Sequence, residues 1–158
     1  MVYEKFIEEY LASGLLKKQK SSFSAVEKLI NRSAKELSAA KANLVIDEGI
    51  AYTVAYLSML HAGRAFMLLK GFRPDDGYQH KTVVEFMSKA LGAEYKNIIE
   101  RFDRMRRKRN IFTYEVDISI SKTEADGAFE TAVKFVDLIK ETVKRETTGT
   151  KIIHVFKY

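Results

Sequence analysis

The chain predicts an all-α fold, an up-and-down bundle of about five helices, and three observations carry that expectation. One proline and eight glycines in 158 residues leave room for long uninterrupted helices. Apolar residues recur at three- and four-residue spacing along most of the chain. Serine-led capping patterns open two of the periodic stretches. At this length, with 46% hydrophobic and 30% charged residues, one domain with a full core is expected across residues 1–158. Its core spans residues 24–145, and residues 146–158 form a tail.

The elements follow in order. Val2 to Ala12 reads as a short helix with Phe6, Tyr10 and Leu11 on one side, ended by Ser13-Gly14. Leu15 to Lys20 is a basic connector. Ser24-Ala25-Val26-Glu27 has the form of a capping box, and the rhythm from Val26 to Val45 carries a long helix to about Glu48. Asp47-Glu48-Gly49 marks a corner. Ile50 to Leu69 is apolar nearly all round, so it is the central helix, and its small residues Ala51, Ala55, Ala62, Gly63 and Ala65 let neighbours approach closely. Gly71 to Gly77 is a loop. His80 to Leu91 and Ala93 to about Ile111 are the next two helices, divided by Gly92. Glu115 to Ser121 alternates strictly and reads as a strand over 116–120, with Ile152 to Phe156 as a second strand, the two pairing with each other or across a dimer. Between them, Ser121-Lys122-Thr123-Glu124 caps a helix running to about Arg145.

The stretch Arg101 to Glu115, RFDRMRRKRNIFTYE, carries the chemistry. Residues 101–109 hold six basic side chains and one acid, Asp103, which is five of the chain's six net positive charges. Charge this local points to a polyanion, with Arg104, Arg106, Arg107 and Lys108 as phosphate contacts. A solvated helix face near a C-terminus is the plainer explanation of the same run. Arg109 falls four residues after Met105 and three before Phe112, on the apolar stripe, where a guanidinium must find a partner. Asn110 can hydrogen-bond beside it, and Tyr114 follows five residues after Arg109.

Arg109-Asn110 followed by Tyr114 resembles the motif of the HEPN family, an Arg, a polar residue, and a His at the fifth position after the Arg. Here Tyr114 stands where the His belongs. Residues 51–69, AYTVAYLSMLHAGRAFMLL, are similar to the second core helix of that family with its His-Ala-x-Arg-Ala segment, and His80 to Phe86 resembles its His-Lys-led third helix. The likeness runs from about Ser24 to Arg145. It implies a small helical bundle that forms homodimers, with Arg109, Asn110 and Tyr114 as a degenerate catalytic site. Members of the family include metal-independent ribonucleases in which the Arg stabilises phosphate charge and the His moves the proton of the RNA 2′-hydroxyl. A phenol, with a reference pKa of about 10, is a poor base at pH 7, so cleavage is expected to be lost or much reduced. The phenol can still donate a hydrogen bond, and its ring can stack on a base.

The resemblance therefore implies an RNA- or nucleotide-binding protein with a degenerate ribonuclease motif, of the kind found in toxin–antitoxin or nucleotidyltransferase-associated systems. Two alternatives stay open: an active metal-independent ribonuclease toxin, or a non-catalytic interaction subunit for a nucleotidyltransferase. Some family toxins are modified by such a partner on a Tyr two residues beyond the His, but that position is Val116 here, which argues against that regulation unless Tyr114 is used instead. No cofactor is expected. His61, His80 and His154 lack ligand spacing, so no metal is expected either, and the absence of Cys removes thiolate sites and disulfides. No run of about 18 apolar residues is present, which argues against a membrane span, and the acidic, amphipathic start does not read as a signal peptide. A cytoplasmic location is the expectation.

Overall fold

The computed structural model describes residues 2–75 and 79–148. Six α-helices and one two-stranded ribbon are found among them: α1 Val2–Ala12, β1 Leu16–Lys18, α2 Phe23–Asn43, α3 Glu48–Leu69, β2 Phe72–Pro74, α4 Gln79–Leu91, α5 Lys96–Tyr114 and α6 Lys122–Thr148. A single 3-10 turn, Ala93–Tyr95, leads into α5.

Helix α3 is the axis of the bundle. Fifteen of its 22 residues are buried, and α2, α4, α5 and α6 all pack on it. An α-helix can be apolar all round only when neighbours cover every side. The small residues act as expected. A Cβ built at Gly63 would fall 2.7 Å from Val83 Cγ1 of α4, so α3 and α4 touch where the side chain is missing. Phe86 and Phe102 are fully buried, and Phe102 lies against both Tyr56 of α3 and Phe135 of α6.

The α2–α3 corner lies earlier than the sequence suggests. Helix α2 ends at Asn43, and Asp47 is the N-cap of α3, its side chain accepting the Ile50 backbone N–H at 2.9 Å. Gly49 is therefore inside α3 and serves packing, since a Cβ there would fall 2.3 Å from Phe112 Cζ. The cap of α2 also shifts. Ser22, extended and accepting from Ala25 N–H at 3.1 Å, takes the place expected of Ser24. The box opening α6 forms as read: Glu124 N–H donates to Ser121 Oγ at 3.1 Å, and Ser121 N–H donates back to Glu124 Oε1 at 3.2 Å.

The strand expected at 116–120 does not form. Glu115 to Ser121 is turn and coil, with Val116 99% exposed and Ile120 buried. Alternation alone cannot hold a strand that has no edge to pair with. Ile120 instead precedes the Ser121 cap, and Ala125, four residues into α6, is also buried; those are the two positions of a hydrophobic staple. Ile152 to Phe156 lies outside the described residues. The ribbon that does form joins Leu16 to Pro74, Lys17 to Arg73 and Lys18 to Phe72, antiparallel. Two flanking bonds lengthen it, Gln19 N–H to Gly71 O at 2.9 Å and Asp75 N–H to Leu15 O at 3.0 Å. It fastens the N-terminal arm to the end of α3.

Candidate nucleic-acid interface

Helix α5 is regular to Tyr114, so its basic run is distributed around a cylinder at about 100° per residue. Ile99, Phe102 and Met105 are its buried residues. Arg101, Arg104 and Lys108, spaced three and four apart, share one face. Asp103 and Arg107 share the next.

The phosphate contacts expected from the sequence divide accordingly. Arg104 is exposed and, like Arg101, has no ion pair among the described residues. Lys108 Nζ is 3.2 Å from Glu124 of α6. Arg106 is turned inward, its side chain 16% exposed, and it donates to Asp103 Oδ1 through Nε at 3.0 Å and Nη2 at 2.9 Å. Arg107 holds the other oxygen of the same carboxylate at 3.0 Å but is 61% exposed. Asp103 thus engages two of the four cations, and Arg101, which the sequence did not single out, is one of the two left free.

Arg109 is half-buried on the apolar side. Its Nε is fully shielded and has no hydrogen-bond partner among the described residues, while Nη1 donates to Asn110 Oδ1 at 3.3 Å. Tyr114 is the last residue of α5 and is 80% exposed. The structure therefore brings Arg109 and Asn110 together and leaves Tyr114 at the rim, one turn beyond Asn110.

Around Arg109 the fold assembles groups that are far apart in the chain. His80, at the start of α4, has Nδ1 2.9 Å from the hydroxyl of Tyr56, which is fully buried in α3. Burial pushes the Tyr56 phenol well above its ordinary range, so the phenol keeps its proton. Burial, with the positive charges of Arg109, Arg106 and Arg64 nearby, pushes the His80 imidazole below its ordinary value. A protonated phenol and a neutral imidazole share this hydrogen bond, the phenol donating when the ring proton is on Nε2 and accepting when it is on Nδ1. The place where α3, α4 and α5 meet is therefore a cationic recess beside a neutral imidazole. Such a recess can receive a phosphate oxygen. Residue spacing could not reveal it, because the pairing of His80 with Tyr56 exists only once α4 has folded back on α3. Further along α3, His61 Nδ1 is 2.7 Å from Glu36 of α2, which also holds the exposed Arg32 at 3.2 Å; the buried His61–Glu36 pair ties α2 to α3.

No group of three or more metal-ligating side chains occurs among the described residues. No helix of the described residues is long and apolar enough to cross a membrane. No curated protein sequence matches the chain. The model of the HEPN domain family matches residues 26–142, from the first turn of α2 to late α6, and the chain belongs to that family.

Proposed function

We propose that this protein binds RNA along α5, as a homodimer, and that its ribonuclease motif is degenerate. Family membership supports a ribonuclease- or nucleotide-related role. The observation that carries the reading is the free pair Arg101 and Arg104 on the same helix as Arg109, whose shielded Nε lacks a partner. Phosphate would supply what the exposed Arg101 and Arg104 lack. Tyr114 occupies the position of the proton-transferring His. As a phenol it suits stacking on a base better than removing a proton at neutral pH.

The dimer is supported by an apolar end. Val45, Ile46, Ile50, Ile111, Tyr114 and Val116 are all exposed. The contact of Gly49 with Phe112 places the start of α3 beside the end of α5, so these residues are neighbours. Exposed apolar side chains gathered at one end favour burial against a second copy. Two copies meeting there would set their Arg109 recesses around one groove.

The test is RNA retention over a salt series, with light scattering on the same samples. Arg104→Ala should weaken binding and flatten the salt dependence by about one phosphate contact, while Arg109→Ala should cost more than a surface charge. Monomer alone at micromolar concentration would remove the dimer. RNA binding unchanged by both substitutions would remove the RNA reading.

A further inference from the structure

On the side of α5 away from the Arg109 recess, a cleft of about 560 Å³ opens between α3, α5 and α6. Arg101 and Arg104 stand at its mouth. Tyr52 of α3 and Thr131 of α6 line it, 6% and 5% exposed. Neither hydroxyl has a hydrogen-bond partner among the described residues, and neither oxygen is fully shielded, so both are reached from the cleft. Both are therefore hydrogen-bonding groups open to a ligand in the cleft, with no partner among the described residues.

The remaining walls are apolar or small. Met105 and Ala128 are buried, and Gly127 leaves open space, since a Cβ built there would meet nothing within 4 Å. Charge is placed unevenly. At one corner Lys108 is neutralised by Glu124, whereas Arg101 and Arg104 are unpaired. Two free guanidiniums match one phosphate monoester dianion, and the Glu124 carboxylate disfavours a longer phosphate chain.

We propose that this cleft seats a single nucleoside monophosphate unit. The phosphate lies on Arg101 and Arg104. The base lies along Met105, Gly127 and Ala128, with its polar edge on the Tyr52 and Thr131 hydroxyls. Each hydroxyl can donate or accept, so the floor accommodates a base edge of either pattern. Burial, with Glu124 nearby, pushes the Tyr52 phenol up to about 12, so it remains a donor throughout the neutral range. The unit is either a free mononucleotide or one residue of the RNA strand that α5 binds. In the second case the inference rests on the RNA reading, because Arg101 and Arg104 belong to both.

Calorimetric titration of the full chain with AMP, GMP, CMP and UMP, with the four nucleosides, and with a tetranucleotide tests this. Gly127→Leu is the central variant. It fills the cleft without altering charge, and it removes an exposed helical glycine, so the fold is retained. Binding of at least one monophosphate, about tenfold tighter than its nucleoside and weakened about tenfold or more by Gly127→Leu, is the expected result for a free nucleotide. Tetranucleotide binding that Gly127→Leu weakens, with no mononucleotide binding, supports a unit of the strand. Thr131→Val should weaken whichever ligand binds by about three- to tenfold through loss of one hydroxyl. No binding by any ligand, or binding that Gly127→Leu leaves intact, overturns the proposal. Longer RNA retained in a salt-dependent way under either of those outcomes would leave the RNA reading standing.

Discussion

Replacing Tyr114 by His restores the family's motif, and the geometry of α5 says what that imidazole would meet. Helix α5 is continuous from Arg109 to residue 114, so residue 114 lies about 140° around the helix from Arg109 and about 7.5 Å along it. Those two side chains do not share a face. Asn110 is different: residue 114 is about 40° and one turn, about 6 Å, away from it. The Arg109 guanidinium leans onto Asn110 Oδ1 at 3.3 Å, which brings its charge toward the face of residue 114. The polar residue of the motif is thus the link between its two ends. At pH 7 a reference imidazole is mostly unprotonated, while only about one phenol in a thousand is ionised. A positioned general base contributes about 10²–10⁴-fold, so a gain of about 10²–10³ in cleavage over wild type is expected for Tyr114→His. Tyr114 is 80% exposed, so the substitution should not disturb folding.

The assay is cleavage of mixed RNA in chelator, with four proteins: wild type, Tyr114→His, and the latter combined with Asn110→Ala or Arg109→Ala. Either second substitution should abolish the gain. A folded Tyr114→His that cleaves no faster than wild type would show that the motif's ends are not brought together as argued. Cleavage that survives Arg109→Ala would place the chemistry elsewhere.

Three further outcomes are expected. Asp103→Asn frees Arg106 and Arg107 from their shared carboxylate, so RNA retention should rise and the salt slope steepen by up to about 0.7 per added single-strand phosphate contact; an unchanged slope would show that neither cation reaches phosphate. Gly63→Ala places a methyl 2.7 Å from Val83, so melting should show a loss of about 1–2 kcal/mol despite the better helix propensity, and Val83→Ala should cost less in that background than alone. The pKa of His80 is lowered in the fold, so the unfolded chain takes up this proton first on acidification; the contribution to stability is complete above about pH 6.5 and declines as pH falls from there, and denaturant midpoints at pH 7 and pH 5.5 should differ less in His80→Asn than in wild type.

The sequence exposed features that depend on neighbours along the chain and concealed those that depend on neighbours in space. The extent of α1, the box of Ser121 and Glu124 and the centrality of α3 follow from local spacing and composition, and all are present. Gly49 was legible as a glycine but not as a packing contact, because Phe112 is 63 residues away. The ribbon of Leu16–Lys18 with Phe72–Pro74 has three-residue strands, too short to show a period. Residues 115–121 had the period and lacked a partner. In the site, Arg109 and Asn110 were legible as a neighbouring pair. His80 was not, since its meaning comes from Tyr56 beneath it and three arginines around it.

The basic run was the clearest signal in the sequence, and the fold changes what it means. Six cations in nine residues suggest a uniform charged surface. Helical geometry and two carboxylates sort them instead. Arg109 goes to the recess at α3 and α4, Arg106 is folded in against Asp103, and Lys108 is matched by Glu124. Arg107 remains outward but shares Asp103. What is left unpaired is Arg101 and Arg104, one turn apart at the mouth of the cleft that holds the Tyr52 and Thr131 hydroxyls. An ion pair already made must be broken before its cation can serve a phosphate, whereas a free guanidinium gives up only water. Affinity should therefore fall more for Arg101→Ala or Arg104→Ala than for Lys108→Ala, although all three share one helix face. A partner that merely sensed net charge would respond equally to the three.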